Sequence, residues 1–163
     1  MVGVIHREPG LALEALLDDQ VWVELIADTH HVDPALWPLI WRLKPPARVL
    51  LVSDAIALAG SGRTRGMVGE LEVTVEGEIV TLVKGGNLAG SVAALDVELR
   101  NVVRSGIPLA DAVRAAAANQ AELLGLPDRG RLEPGLRADL VELDASSLAV
   151  RRVMRAGEWI VGR

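Results

Sequence analysis

The sequence predicts an α/β fold built on a parallel sheet with crossover helices, and three observations predict it. The apolar run Val21 to Ala27 ends in Asp28-Thr29-His30-His31-Val32-Asp33, the run Arg48-Val49-Leu50-Leu51-Val52-Ser53 ends in Asp54, and helix-spaced apolar residues precede each run. The order helix, strand, helix, strand is that of a sheet whose strands cross over through helices. An apolar strand ending in a carboxylate is how barrel enzymes present a catalytic group. Two successive strands of one parallel sheet would deliver His31 and Asp54 to the same rim.

The elements follow in chain order. Leu11-Ala12-Leu13-Glu14-Ala15-Leu16-Leu17, after the Pro9-Gly10 turn, predicts a short amphipathic helix. Val21 to Ala27 is a buried strand. Pro34 sits in a first helical turn, where its missing N–H does no harm. Leu36, Leu39, Ile40 and Leu43 then recur at helical spacing until Pro45-Pro46 stops the helix. Arg48 to Ser53 is the second buried strand. Beyond Asp54, glycines 60, 62, 66 and 69 punctuate a polar loop. Leu71, Val73 and Val75 alternate with Glu70, Glu72, Thr74 and Glu76, Gly77 marks a turn, and Ile79 to Val83 returns, which predicts a hairpin near 70–83. Gly85 to Ser91 reads as a loop entering a helix capped by Ser91, with Leu95, Leu99, Val102 and Val103 on one face. A second helix runs from Pro108 to about Leu124, and alanines 115–118 predict close packing before Gly125 ends it. Leu140 to Leu143, Arg151 to Arg155 and Trp159 to Val161 read as antiparallel strands, with Ala156-Gly157 at a turn.

Composition narrows the function classes. The 163 residues suggest about one domain. At 50% hydrophobic and a mean hydropathy of +0.31, the chain is apolar for a protein with a wholly wet surface, so either a large partner surface is covered or the chain is part of something larger. Lys+Arg of 17 against Asp+Glu of 22 gives a net charge of −5, which offers no general attraction to nucleic acid or anionic membrane. The absence of Cys excludes disulfides, thiolate catalysis and cysteine zinc sites. With no membrane-length apolar stretch and no signal-peptide pattern, a cytoplasmic location is the default expectation.

The residues alone leave two chemistries open. His30, His31 and Asp33 carry donors that suit zinc or iron, although a metal site needs three or four convergent groups and the chain has 3 histidines. Asp54 suits a general acid–base role beside a metal held elsewhere; alternatively it accepts backbone N–H groups and caps the next turn.

A set of motifs then carries a resemblance: His6-Arg7-Glu8-Pro9-Gly10, Ile26 to Asp33, Leu51-Val52-Ser53-Asp54-Ala55, Leu88-Ala89-Gly90-Ser91, Arg100-Asn101-Val102-Val103 and Gly130 to Val141. In this order they resemble the N-acetylglucosamine-6-phosphate deacetylase family of the metal-dependent amidohydrolase superfamily. The resemblance implies that Asp54 is the catalytic aspartate, Arg7 the phosphate-binding arginine and His31 a substrate-contacting histidine. It further implies that Leu88, Ala89 and Gly90 line the substrate. His30 falls at a variable position, and Thr29 replaces a usual Gly, so a differently shaped turn is expected there. Arg131, Glu133, Arg137 and Asp139 read as structural.

The resemblance covers essentially all of the chain but only about the C-terminal half of a typical member, with Met1 falling just beyond a segment that contributes a metal-binding histidine. The implied fold is therefore the C-terminal part of a TIM-like (β/α) amidohydrolase barrel over 1–138, with strands of a small β-sandwich domain over 139–163. A divalent metal, zinc or iron, is implied for the complete enzyme, with no ligands expected within this chain. The implied reaction is hydrolysis of N-acetylglucosamine 6-phosphate to glucosamine 6-phosphate and acetate by a homo-oligomer, with the isolated chain expected to be inactive because the metal ligands fall before Met1. The implied partners are an amino-sugar phosphate and a second copy in a dimer, with neither nucleic acid nor membrane. The alternative is a noncatalytic interaction or regulatory remnant of an amidohydrolase.

Overall fold

The computed structural model describes residues 7–162. Helix α1 (Gly10–Leu17) leads to strand β1 (Val23–Leu25), a 3-10 turn (Pro34–Leu36), helix α2 (Trp37–Leu43) and strand β2 (Val49–Leu51). The expected order holds, but both strands are only three residues long. They pair in parallel, Val23 with Val49 and Leu25 with Leu51. The Val52 N–H reaches Leu25 O at 3.1 Å, and beyond it the backbone turns to other partners: Ala27 O accepts the Asn101 side-chain amide at 2.9 Å. Val49, Leu50 and Leu51 are all at most 2% exposed, as expected for a parallel strand covered on both faces.

The apolar stripe of α2 differs from the expected one. Leu36 and Leu39 are exposed, while Trp37 is 1% exposed and Ile40 and Trp41 pack beside it. Trp37, Ile40 and Trp41 form an i, i+3, i+4 face of larger area, and the Trp37 indole donates to Val32 O at 3.2 Å, which fixes that rotation. Lys44, 2% exposed, ends the helix by reaching back: Nζ donates to Ala15 O at 2.7 Å and to Asp18 O, satisfying carbonyls at the end of α1.

Strands β3 (Arg65–Val68), β4 (Leu71–Glu76), β5 (Ile79–Leu82) and β6 (Leu88–Ser91) form one antiparallel sheet in that order. The pair β4 and β5, read from sequence as a hairpin, is thus the centre of a larger sheet. Val73 and Val80 are buried with Leu58, and Ile56, Val75, Leu82, Ala89 and Val92 pack against them. Leu71, expected on the dry face, is 56% exposed at the strand's start. Leu88 to Ser91, expected as a loop, is strand β6, and Ser91 is no helix cap: it is buried, and Ala94 precedes the helix.

Helix α3 (Leu95–Arg104) buries Leu99 and Val102 against the main core, which also holds Leu25, Ala27, Trp37, Val49, Leu51, Ile107, Ala112 and Ala115. The second helical run is continuous, as α4 (Leu109–Val113), a π-helical turn (Arg114–Ala118) and α5 (Asn119–Leu123). At the π turn the Asn119 N–H bonds Arg114 O, five residues back. Asn119 itself is fully buried; its amide donates to Pro46 O at 2.8 Å and Val49 O at 2.7 Å, so the widened turn anchors the helix to β2. The alanines permit close approach: a Cβ at Gly130 would lie 2.6 Å from Ala121 Cβ.

Strands β7 (Leu140–Leu143), β8 (Val150–Arg155) and β9 (Glu158–Val161) form a separate antiparallel sheet. Ala156 (φ 50°) and Gly157 (φ 86°) make the two-residue turn, whose positive φ angles match hairpin twist. Asp139 fastens it, accepting the Ala156 N–H at 2.7 Å and the Arg137 guanidinium at 3.0 Å.

The expected run of barrel strands is therefore corrected. Among the described strands only β1 and β2 pair in parallel, with one further parallel bridge between Ala55 and Ser91; the remaining strands lie in two antiparallel sheets, because from β3 to β6 strand alternates with turn rather than with helix. No described helix is long and apolar enough to cross a membrane.

Candidate active site

Because β1 and β2 run parallel as neighbours, their C-terminal ends open on one side. Asp28 lies three residues beyond β1 and Asp54 three beyond β2. Asp28 is 5% exposed and organises the first rim segment. Its Oδ1 accepts the N–H groups of His30 at 2.9 Å and His31 at 3.0 Å, and its Oδ2 stands 2.8 Å from His31 Nδ1. Burial acts to raise the Asp28 carboxyl, but the His31 and His30 amides and the His31 ring outweigh it and hold the group below the usual carboxylate range. An ionised Asp28 therefore accepts a hydrogen bond from His31 Nδ1–H, which selects the tautomer of the neutral ring whose Nε2 is an acceptor. Thr29 adopts φ 74°, so the turn keeps the left-handed conformation a glycine would take, against the expectation of a different shape. The three bonds to Asp28 hold the β-branched residue there.

Asp54 also has positive φ, 47°, a conformation that Asp tolerates better than most residues, and it is exposed. Its carbonyl accepts the Ser91 N–H at 2.9 Å, and Ser91 O accepts the Ile56 N–H at 2.9 Å, so the end of β6 is stitched to the chain leaving β2. This brings Gly90 against Asp54. Gly90 has φ 80°, and a Cβ there would stand 2.6 Å from Ile56 Cγ2, 3.0 Å from Asp54 O and 3.7 Å from Asp54 Oδ2. Only glycine fits this approach. Ala89 packs into the second core, whereas Leu88 is 42% exposed.

Two further residues belong to this region: Asn101, which the sequence motif contained without assigning it a role, and Glu98, which was not singled out. Asn101 of α3 holds Ala27 O, one residue before Asp28. Glu98, one turn earlier, is fully buried, and neither carboxylate oxygen has a hydrogen-bond partner. Burial, aided by the charges of Asp28 and Asp54 and opposed by the Ala27 amide, pushes its carboxyl up to about 8. The signal was present: Leu95, Glu98, Leu99 and Val102 follow the i, i+3, i+4, i+7 pattern, which puts an acid at a core position.

Arg7 is exposed at the turn before α1, and no ion pair joins it to another described residue. His30 is half-buried with Nε2 unpartnered. His6 lies outside the described residues. Among the described residues no group of three or more His, Asp or Glu side chains is placed to hold a metal ion, so the donor set here does not fit one. A surface hollow lined by Arg114, Ala118, Ala121, Glu122 and Arg131 among others shares no residue with this rim.

A rim of strand-end acids with a paired histidine defines a hydrolase-like class, and comparison with known proteins identifies the family. Residues 12–160 match the Amidohydrolase family, and the chain belongs to it. A provisionally named N-acetylgalactosamine-6-phosphate deacetylase of Escherichia coli K12 is 39% identical over 100% of this chain and 94% of its own length. The N-acetylgalactosamine-6-phosphate deacetylase of Escherichia coli O157:H7 is also 39% identical over 100% of this chain, but over 42% of its own length. Among solved structures, a variant of the Mycobacterium smegmatis N-acetyl-D-glucosamine-6-phosphate deacetylase in complex with N-acetyl-D-glucosamine-6-phosphate superposes with a TM-score of 0.92. It is 40% identical, covering 99% of this chain and 43% of that one. The N-acetylglucosamine-6-phosphate deacetylase of Thermotoga maritima gives 0.88 at 33% identity, over 97% of this chain and 43% of that one.

These matches correct the expectation that the chain corresponds only to the C-terminal half of its family. It spans nearly the whole of one relative, although it covers about two fifths of the longer ones. The family's fold accounts for essentially the entire chain, all three sheets included, and not for a set of late barrel strands with an appendage. Family membership implies dependence on a divalent metal, for which the described residues offer no shell.

Proposed function

We propose that the protein hydrolyses the acetamide of N-acetylglucosamine 6-phosphate, releasing glucosamine 6-phosphate and acetate. The observation that carries this reading is the approach of Gly90 to Asp54 beside the Asp28–His31 pair, which leaves a carboxylate at an opening that no Cβ fills. Water adds to the acetyl carbonyl carbon as the Asp54 carboxylate takes its proton. Asp54 then returns that proton to the amide nitrogen while the C–N bond breaks, and acetate leaves the amine. His31, with Nδ1 engaged by Asp28, receives a sugar hydroxyl at Nε2, and the Leu88–Gly90 backbone lines the sugar. Arg7 suits the phosphate, because a guanidinium fork matches phosphoryl oxygens.

The protein acts as a homo-oligomer, a dimer in the simplest case; Leu11 at 76%, Leu124 at 68% and Leu132 at 84% exposure supply apolar surface for such contacts.

A second substrate, N-acetylgalactosamine 6-phosphate, is favoured by the names of the two Escherichia coli relatives. The test is acetate release by purified protein supplied with zinc or iron, using each sugar phosphate. Release from either supports the deacetylase reading, and the faster substrate assigns the sugar. No release from either, with both metals, overturns it and leaves the noncatalytic alternative.

A further inference from the structure

The charges of Asp28 and Asp54 reach Glu98 of α3, and the surroundings of the three carboxyls differ. Asp28 has three donors within 3.0 Å. Asp54 is open to water. Glu98 is 0% exposed, neither oxygen makes a well-formed hydrogen bond, and the Ala27 amide nearby offsets its burial only in part. A buried carboxylate without a donor is strongly disfavoured in its charged form, and neighbouring negative charge disfavours it further. Of the elements packed on α3, the segment after β1 brings Asp28 and His31 and the segment after β2 brings Asp54. On α3 itself Asp96 and Arg100 are engaged with each other at 2.7 Å, and Asp111 of α4 exerts no charge effect on Glu98. No described base offsets the two acids at Glu98.

We propose that Glu98 is a positioning residue for this site, carried as the neutral acid near Asp28, so that no charge on Glu98 disturbs Asp28 as it holds His31 in place. The role rests on the deacetylase reading for its purpose, but its geometry does not. A proton on Glu98 removes a negative charge from a buried position where neither carboxylate oxygen has a well-formed hydrogen bond. When Glu98 ionises, its charge repels Asp28, whose bond to His31 Nδ1 loosens as a result.

The experiment is a pH titration by NMR of protein carrying 13C-labelled glutamate side-chain carboxyls, with the His31 ring followed in the wild type and in Glu98→Gln. Gln keeps the shape and stays neutral. The expected result is a Glu98 carboxyl protonated through neutral pH with a midpoint near 8, and a His31 inflection at that same midpoint which is absent from Glu98→Gln. Below the midpoint the variant's His31 signals match those of the wild type. A Glu98 midpoint below about pH 6, near the ordinary carboxyl range, overturns the proposal without recourse to any variant. So does an alkaline His31 inflection that survives in Glu98→Gln. Neither readout requires turnover, so failure of acetate release and failure of this proposal are separate outcomes.

Discussion

Gly90→Ala is the perturbation that probes the site's construction most sharply, because two physical effects can be separated by a control. The first is conformational: φ at Gly90 is 80°, and forcing an L-residue into left-handed backbone costs about 1–2 kcal/mol. The second is steric, since the new Cβ would meet Ile56 Cγ2 at 2.6 Å and Asp54 O at 3.0 Å. Overpacking of this kind adds about 1–3 kcal/mol, for a total of about 2–5 kcal/mol. Gly60 has a similar φ of 68° but nothing within 4 Å of its Cβ position, so Gly60→Ala carries the first effect alone. Urea denaturation of the two variants should place Gly90→Ala below Gly60→Ala by about 1–3 kcal/mol. Because the clash is with the Asp54 backbone, acetate release should fall in Gly90→Ala and hold in Gly60→Ala. Equal stability losses, or an active Gly90→Ala, would refute the close approach on which the site is built.

Other perturbations give further outcomes. Asp54→Asn removes the proton acceptor and should lower acetate release at least ~100-fold, with folding unchanged by circular dichroism. Glu98 binds its proton more tightly folded, at about 8, than at its ordinary 4.5, so the folded state holds more protons between those values. Stability should therefore fall as pH rises through that window, by on the order of 2 kcal/mol between about pH 5 and 7, and the fall should be absent in Glu98→Gln when urea midpoints are compared. Asn119→Asp should destabilise more than Asn119→Ala at neutral pH, because Asp cannot donate to Pro46 O and Val49 O and buries a charge; the alanine variant should lose about 1–3 kcal/mol in the same assay. Lys44→Met should lose about 1–3 kcal/mol and weaken amide-exchange protection at the end of α1, whose carbonyls Nζ holds.

What the sequence revealed tracks how local the cause was. The helix–strand–helix–strand start and the β8–β9 turn at Ala156-Gly157 were legible because periodicity and turn residues act over a few positions. The strands came out shorter than their apolar runs, since where a ladder ends depends on partners far along the chain, such as Asn101 taking Ala27 O. Leu88 to Ser91 was misread as a loop because glycine at 90 signals a bend, whereas its φ and the pairing with Asp54 and β5 make it a strand with an irregular register. On α2 a count of leucines pointed to Leu36 and Leu39, but the larger tryptophan faces won the core. For the site, Asp54 and His31 could be picked out by strand-end position. Asp28 and Glu98 required knowing which donors surround each carboxylate, and spacing alone does not carry that information.

The most direct test of the central claim is a crystal structure of the protein with N-acetylglucosamine 6-phosphate bound. The account predicts the acetamide carbonyl beside the Asp54 carboxylate, the sugar against the Leu88–Gly90 backbone and within reach of His31, and the phosphate at Arg7. A sugar phosphate seated instead in the hollow between Arg114 and Arg131, or one that leaves Asp54 facing only water, would contradict it.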